Sequence, residues 1–182
     1  MNDILFSLFD PLKDSIKSIP NLPGNYIVTL RKESCLPDIE ITPTFKKFRG
    51  LNVIYTGLAG ASLRDRDTKK HFRGNAGSST LRKSIGCLFG YELIPRDKKY
   101  EDNKKTKFRK EDEGLLSEWM TRNLLLFYYL NSDLHSLEEL LIQKYNPPLN
   151  LDKNFNQVNE EFRKKLSMLR NRPLYQSFNP KL

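Results

Sequence analysis

A carboxylate on the apolar side of a helix is the first residue in this sequence that could do chemistry. On a helical wheel of LEELLIQKY, residues 137–145, Leu141 and Tyr145 lie within roughly 60° of Glu138 on one side and Ile142 within roughly 40° on the other. Glu139 points about 100° away, beside polar residues. A carboxylate facing the core needs a cationic or metallic partner. Glu138 is therefore either half of a structural ion pair with a core Arg, or a metal ligand or acid/base group.

A second candidate for chemistry is the stretch VIYTGLAGASLRDRDTKKHF, residues 53–72, in which small residues lead from a strand into a basic helix. Such a turn often binds phosphate, as a nucleotide-cofactor loop or a nucleic-acid site, but it can also be only a tight turn. A Walker loop requires Gly-Lys followed by Ser or Thr, which the sequence lacks. Gly57 and Gly60 leave the dinucleotide fingerprint incomplete. We therefore expect no nucleotide cofactor.

The positive charge is concentrated in one part of the chain. Residues 64–110 carry 15 of the 31 Lys and Arg but only 6 of the 22 Asp and Glu, which accounts for the whole net charge of +9. Clustered cations replace counterions along a phosphate backbone, so a nucleic-acid-binding face is favoured over a merely solvated basic surface. A membrane-surface face fits less well, because the region lacks a basic amphipathic helix with aromatic anchors.

The sequence contains no features that predict export or membrane insertion. No apolar run approaches about 18 residues, and MNDILFSLFDPLKD at the N-terminus has acids where a signal peptide has a basic start. Cys35 and Cys87 have neither the number nor the spacing for a disulfide framework or a zinc site. We therefore expect a cytoplasmic protein without membrane association.

The elements that must position these residues form a small mixed α/β (α+β) domain. Apolar, β-branched and aromatic runs predict three strands, over residues 25–30, 51–57 and 123–130. Capping residues and apolar periodicity predict the helices. These cover residues 3–18, a segment from Ser62, a short segment within 73–86, 111–123, a segment from Ser136 (with Glu139 completing a capping box) to Pro147, and 159–171. Residues 31–50 are expected to be irregular, and 95–113 a charged loop.

Five positions in this order resemble the GIY-YIG nuclease family. GNY at residues 24–26 stands where the family has its first triplet, and YTG at residues 55–57 where it has its second. In LRDR, Arg66 matches the Arg that follows the second triplet. Glu138, with Asn150 twelve residues later in NPPLN, matches the family's late Glu and Asn. The resemblance covers roughly residues 23–151, and the family implies a three-stranded antiparallel sheet flanked by helices.

The chain departs from the family pattern at several positions. Asn25 and Thr56 replace the central Ile of the triplets, and the connection between the triplets is about twice the usual length. His71 follows Arg66 by five residues, whereas relatives often have a His about one turn on. Arg64 lies close enough to compete with Arg66 for the same role.

The resemblance implies a divalent-metal-dependent DNA endonuclease that hydrolyses phosphodiester bonds. Glu138 would hold Mg²⁺ or Mn²⁺, and Arg66 would bind the scissile phosphate. Tyr26 would orient or deprotonate the attacking water with support from Tyr55, and the basic helix would lower the phenol pKa enough for this. The expected catalytic residues are Tyr26, Tyr55, Arg66, His71, Glu138 and Asn150.

DNA is the expected partner, and a homodimer is expected if the enzyme cuts palindromic sites. The expected nucleic-acid contacts are Arg64, Lys70, Arg73, Thr80, Arg82 and Lys83. The domain prediction is a single domain over 1–182, with the nuclease core at 23–151, an N-terminal helical extension at 1–22 and a C-terminal helix packing on the core within 152–182. The alternative to an enzyme is a non-catalytic nucleic-acid-binding module that retains the fold.

Overall fold

The sheet at the centre of the protein is antiparallel and has five strands. The computed structural model describes residues 5–96 and 105–172. The strand order is β1-β7-β2-β4-β3, and β5 and β6 form a separate two-stranded sheet. In chain order the strands are β1 (Ser7–Phe9), β2 (Gly24–Leu30), β3 (Lys47–Phe48), β4 (Leu51–Ala59), β5 (Ile94–Pro95), β6 (Thr106–Lys107) and β7 (Leu124–Leu130).

The three predicted strands are confirmed as the central β7, β2 and β4, but a three-stranded sheet is wrong. The additional strand β3 pairs with β4 and falls inside the segment 31–50 that was expected to be irregular. The other addition, β1, pairs with β7 and closes the opposite edge. Residues 97–104, at the centre of the expected charged loop, lie outside the described residues.

The N-terminal helix predicted over residues 3–18 is wrong where the structure describes it. Phe6 and Phe9 are buried while Leu5 and Leu8 are exposed. The two buried rings belong to different apolar clusters, one on each face of the sheet. Residues 16–18 form only a single 3₁₀ turn. A short apolar run does not distinguish helix from strand by its periodicity, and here pairing with the free edge of β7 decides the outcome.

Within the described part of the chain, four α-helices and one π-helical segment surround the sheet. They are the π-helical segment Asp65–Phe72, α1 (Thr80–Leu88), α2 (Lys110–Asn123), α3 (Leu134–Tyr145) and α4 (Glu160–Arg170). Ser62 caps its helix as predicted, since its hydroxyl accepts from Asp65 N at 3.0 Å. For α3 the predicted cap is wrong, because Asp133 accepts from Ser136 N and the helix begins two residues earlier.

Alternating residues of β2 face two apolar clusters. Tyr26 and Val28 belong to the larger cluster, which also contains buried residues of α1, α2 and α4. Ile27 belongs to the smaller cluster, which contains Leu137 and Leu141 of α3. The sheet therefore has α3 on one face and the other α-helices on the opposite face. No helix in residues 5–96 and 105–172 has the length and apolarity needed to cross a bilayer.

Candidate active site

Tyr26 occupies the centre of the sheet and is fully buried. It pairs in register with Gly57 of β4. A Cβ atom at Gly57 would clash with the Tyr26 hydroxyl, so glycine is needed at this close approach. The Tyr of the first triplet and the Gly of the second are thus sterically matched.

Arg66 and His71 both reach the Tyr26 hydroxyl from the π-helical segment. Arg66 Nε donates to Tyr26 Oη at 3.4 Å, and His71 Nε2 lies 2.8 Å from the same oxygen. In a π-helix the neighbouring turn is reached after five residues rather than four. The five-residue spacing that set His71 apart from the family pattern therefore places it one turn beyond Arg66, on the same side.

His71 bridges two hydroxyl groups in the interior. Its Nδ1 lies 2.6 Å from Ser79 Oγ, and Ser79 also caps α1 by accepting from Arg82 N. Burial, with the nearby charges of Arg66, Arg82 and Lys70, holds the pKa of His71 well below its usual value. The imidazole is therefore neutral at neutral pH, with one ring nitrogen as donor and the other as acceptor.

The expectation that basic neighbours lower the Tyr26 pKa is wrong for the free protein. Burial raises the pKa of Tyr26 well above its usual value, and neighbouring Tyr55 and Asp67 act in the same direction. The opposing effect of Arg66 is smaller. Tyr26 is accordingly a neutral phenol that holds Arg66 and His71 in place.

Asp67 is a member of this cluster that sequence reasoning missed. Its side chain is fully buried, and neither carboxylate oxygen has a hydrogen-bond partner among the described residues. Oδ1 lies 3.9 Å from His71 Nε2. Burial raises the pKa of Asp67 well above its usual value, against the effect of neighbouring Arg66. Within the run DRDTKK the residue has the pattern of a solvent-facing acid, so the sequence carries no signal for this position.

Glu138 lines a cleft of about 180 Å³ that Tyr55 also lines. Its side chain is 17% exposed, against 57% for Glu139, which does not line the cleft. The cation beside Glu138 is Lys153, with Nζ 3.3 Å from Oε2. Lys153 comes from the loop before α4 and is itself partly exposed, so the alternative of an ion pair with a core Arg does not hold.

Tyr55 and Asn150 form two further walls of the same cleft. The Tyr55 hydroxyl lies 3.0 Å from Thr80 Oγ1, at the start of α1. The Asn150 amide makes a pair of hydrogen bonds with the Thr56 backbone: Oδ1 accepts from Thr56 N and Nδ2 donates to Thr56 O, both at 2.9 Å. Asn150 therefore fastens the loop after α3 to β4, next to Tyr55.

Arg82 does not lie on a nucleic-acid-binding surface, and this part of the expected contact set needs correction. Its side chain is fully buried, and its guanidinium donates to the Glu113 carboxylate, to the His71 and Phe72 carbonyls and to the Ser117 hydroxyl. These bonds tie the end of the π-helical segment to α2. Arg82 has no free donor direction toward solvent and supports His71 instead.

The other expected nucleic-acid contacts differ in how far their side chains are exposed. Arg64 Nε donates to the Ile19 carbonyl at 2.8 Å and so faces the N-terminal segment, which leaves Arg66 as the Arg beside Tyr26. Lys70, Arg73 and Thr80 are exposed. Lys83 is partly buried, and burial together with the nearby Arg170 lowers its pKa.

A metal ion at this site would have few protein ligands. Among the residues that the structure describes, no group of three or more His, Cys, Asp and Glu is placed to hold one. Glu138 and Asp152 both line the cleft, and each offers carboxylate oxygens. This donor set suits Mg²⁺ or Mn²⁺, because Mg²⁺ keeps several waters and accepts one or two carboxylates, with substrate phosphate supplying other ligands.

Comparison with known proteins agrees with this arrangement. The family model described as the GIY-YIG catalytic domain matches residues 24–172. Neither the curated proteins nor the solved structures gave a match. The matched range begins at the first residue of GNY and includes YTG, the π-helical segment, Glu138 and Asn150. The chain belongs to the GIY-YIG nuclease family.

Proposed function

We propose that the protein is a divalent-metal-dependent DNA endonuclease that hydrolyses phosphodiester bonds. The observation that carries this proposal is the cleft that Glu138, Tyr55 and Asn150 line together. The cluster around Tyr26, with Arg66 and His71, lies directly behind Tyr55, since the Tyr26 and Tyr55 ring centroids are 6.3 Å apart. DNA is the proposed substrate because the excess positive charge of the chain lies in residues 64–110.

Arg66 is the proposed ligand of the scissile phosphate. Its Nε contacts Tyr26, which fixes the plane of the guanidinium, and the terminal nitrogens are the donors that it would offer to phosphate oxygens. Such fixed donors stabilise charge that develops on the phosphoryl oxygens in the transition state.

Of the two tyrosines, we assign contact with the attacking water to Tyr55. Tyr26 is fully buried and its hydroxyl is engaged by Arg66 and His71, whereas Tyr55 lines the cleft. The neutral phenol of Tyr26 then acts as the hub that orients Arg66 and His71. Asn150 keeps the backbone of β4 beside Tyr55 in register with the loop that follows α3.

Glu138, with Asp152 nearby, is the proposed holder of the metal ion. When bound, a divalent ion would neutralise charge on the phosphoryl oxygens and lower the pKa of a coordinated water. Oε2 of the Glu138 carboxylate pairs with Lys153, so Lys153 competes with a bound cation for that oxygen.

The test is cleavage of plasmid, linear and branched DNA by the purified protein with Mg²⁺, with Mn²⁺ or with chelator. We expect metal-dependent cleavage, lost by at least about a hundredfold in Glu138→Ala. Glu139→Ala is the matched control, since it removes a neighbouring carboxylate outside the cleft, and it should retain most of the activity.

Three results would contradict parts of the proposal. Absence of metal-dependent cleavage on every substrate, or full cleavage by Glu138→Ala, would refute the endonuclease as described. An equal loss of activity in Glu138→Ala and Glu139→Ala would refute the assignment of the metal-binding role to Glu138 rather than Glu139. DNA binding without cleavage would favour the alternative, a non-catalytic nucleic-acid-binding module.

A further inference from the structure

Phe155 is a large aromatic side chain that the protein holds almost entirely in solvent. It is 92% exposed, whereas Phe89, which is 36% exposed, stacks on Tyr91. Burying a Phe side chain stabilises a protein by about 1.5–3 kcal/mol, although single exposed apolar residues are common. The exposure of Phe155 is informative because hydrogen bonds anchor its loop and because two grooves lie beside its ring.

The loop around Phe155 is anchored on both sides. Asn154 is buried, and its Nδ2 donates to the Pro147 carbonyl at 3.1 Å. On the other side, the Asn156 carbonyl accepts from Arg163 of α4, and the Asn156 side chain caps the following 3₁₀ turn by accepting from Val158 N. Phe155 thus lies between two residues, Asn154 and Asn156, that are both hydrogen-bonded within the protein.

Two grooves flank the Phe155 ring and lead toward the cleft that contains Glu138. One groove, of about 510 Å³, shares Ile142 and Lys153 with that cleft. The other, of about 400 Å³, shares Leu151 with it. Phe155 is two residues from Lys153, a separation of at most ~7 Å along the chain. Phe155 is therefore close along the chain to a residue that lines the cleft.

The surroundings of Phe155 match a nucleobase better than a protein partner. The grooves are lined largely by amide and charged side chains, and the exposed Gln143 and Gln157 lie one in each groove. A nucleobase offers an apolar face for stacking and polar edges for amide hydrogen bonds. The centre of a protein interface instead tends to be depleted of charged residues.

We propose that Phe155 is a base-stacking residue that contacts a nucleobase flanking the cleaved phosphodiester, in an unpaired or distorted part of the substrate. This inference rests on the proposed function, because it takes the DNA strand to lie in the cleft beside Glu138. Insertion of a Phe between base steps, or stacking of an extruded base on the ring, uses the same exposed face.

The test uses Glu138→Gln protein, so that binding is measured without cleavage. The probes are a single strand, and a duplex with one bulged nucleotide, each carrying 2-aminopurine, whose fluorescence changes on stacking. Adding Phe155→Ala should lower affinity about 5- to 160-fold, the range expected for loss of one stacked base, and remove the fluorescence change. Phe155→Trp should retain both. Val158→Ala, which shortens another exposed apolar side chain (65% exposed) of the same loop region, should change neither.

The outcomes separate this inference from the proposed function. If Phe155→Ala binds with unchanged affinity and fluorescence while the parent binds DNA, the stacking role is overturned and the endonuclease proposal stands. If the parent binds neither probe, the stacking inference is overturned, and the cleavage assay on plasmid, linear and branched DNA decides the endonuclease proposal separately. If Phe155→Ala converts a dimer into a monomer in sedimentation and leaves DNA binding intact, the surface is a self-association face and the inference is overturned.

Discussion

The paired hydrogen bonds between the Asn150 side chain and the Thr56 backbone predict a measurable stability loss on substitution. Asn150→Ala removes both partners and leaves a buried N–H and a buried C=O without bonds. Each such group costs about 1–3 kcal/mol, so we expect the free energy of unfolding to fall by about 2–6 kcal/mol. For a domain of this size that corresponds to a fall of about 4–24 °C in Tm.

The assay is urea unfolding followed by circular dichroism, with Asn171→Ala as the matched control. Asn171 also donates from its side chain to a backbone carbonyl, that of Ser167, but it does so in an exposed position, so its loss should change stability by less than about 0.5 kcal/mol. An equally small change in Asn150→Ala would refute the reasoning, because the bonds to Thr56 would then contribute no more than an exposed one.

Asn150→Asp tests separately whether the side chain donates a hydrogen bond to the Thr56 carbonyl. The new carboxylate can still accept from Thr56 N, but it faces the Thr56 carbonyl without a proton to donate. This raises the pKa of the new carboxylate in the folded state above its unfolded value, so its contribution to stability is present at low pH and is lost as pH rises. Asn150→Asp should therefore be closer to the native protein at pH 4 than at pH 7, and a uniform deficit across that range would contradict the hydrogen-bond assignment.

Two further predictions concern the charged groups around the site. Because burial raises the pKa of Asp67, its folded-state pKa exceeds the unfolded value of 3.8, and the stability linked to its protonation is lost as pH rises above that value. Asp67→Asn should therefore be more stable than the native protein at pH 7, with the gain vanishing near pH 4 in urea titrations. Because Lys153 pairs with Glu138 at 3.3 Å, Lys153→Met should tighten Mn²⁺ binding in calorimetry by up to about fivefold, the range for a partly exposed ion pair. Unchanged Mn²⁺ affinity in that variant would mean that Lys153 does not compete for the carboxylate.

Much of the central fold was predictable because its signals are local. The segments of β2, β4 and β7 are rich in β-branched and aromatic residues, and helix α2 follows its predicted range closely. The edge strands were not predictable in this way. Residues Ser7–Phe9 become a strand only because β7 offers an unpaired edge. Lys47–Phe48 is too short to be recognised by its own composition, and it pairs with the start of β4 across the two-residue turn Arg49–Gly50, in which both φ angles are positive.

The candidate site was predictable to the extent that it depends on family motifs and helical faces. The helical wheel separated Glu138 from Glu139, and the structure places only the first of them in the cleft. The sequence could not reveal the burial of Arg82 and Asp67, since both stand in basic, polar stretches typical of a surface. Their environment is created by packing of the π-helical segment against α1 and against α2, and α2 is distant from that segment in sequence.

The π-helical turn between Arg66 and His71 also has a consequence for how sites of this kind evolve. In an ordinary α-helix one inserted residue rotates everything after it by about 100° and would carry the His away from the Tyr. A π turn absorbs the extra residue locally and restores the phase of the helix beyond it. A site of this kind can therefore tolerate an insertion between two of its own members, and a search that demands a fixed interval between the Arg and the His would overlook chains whose side chains still meet.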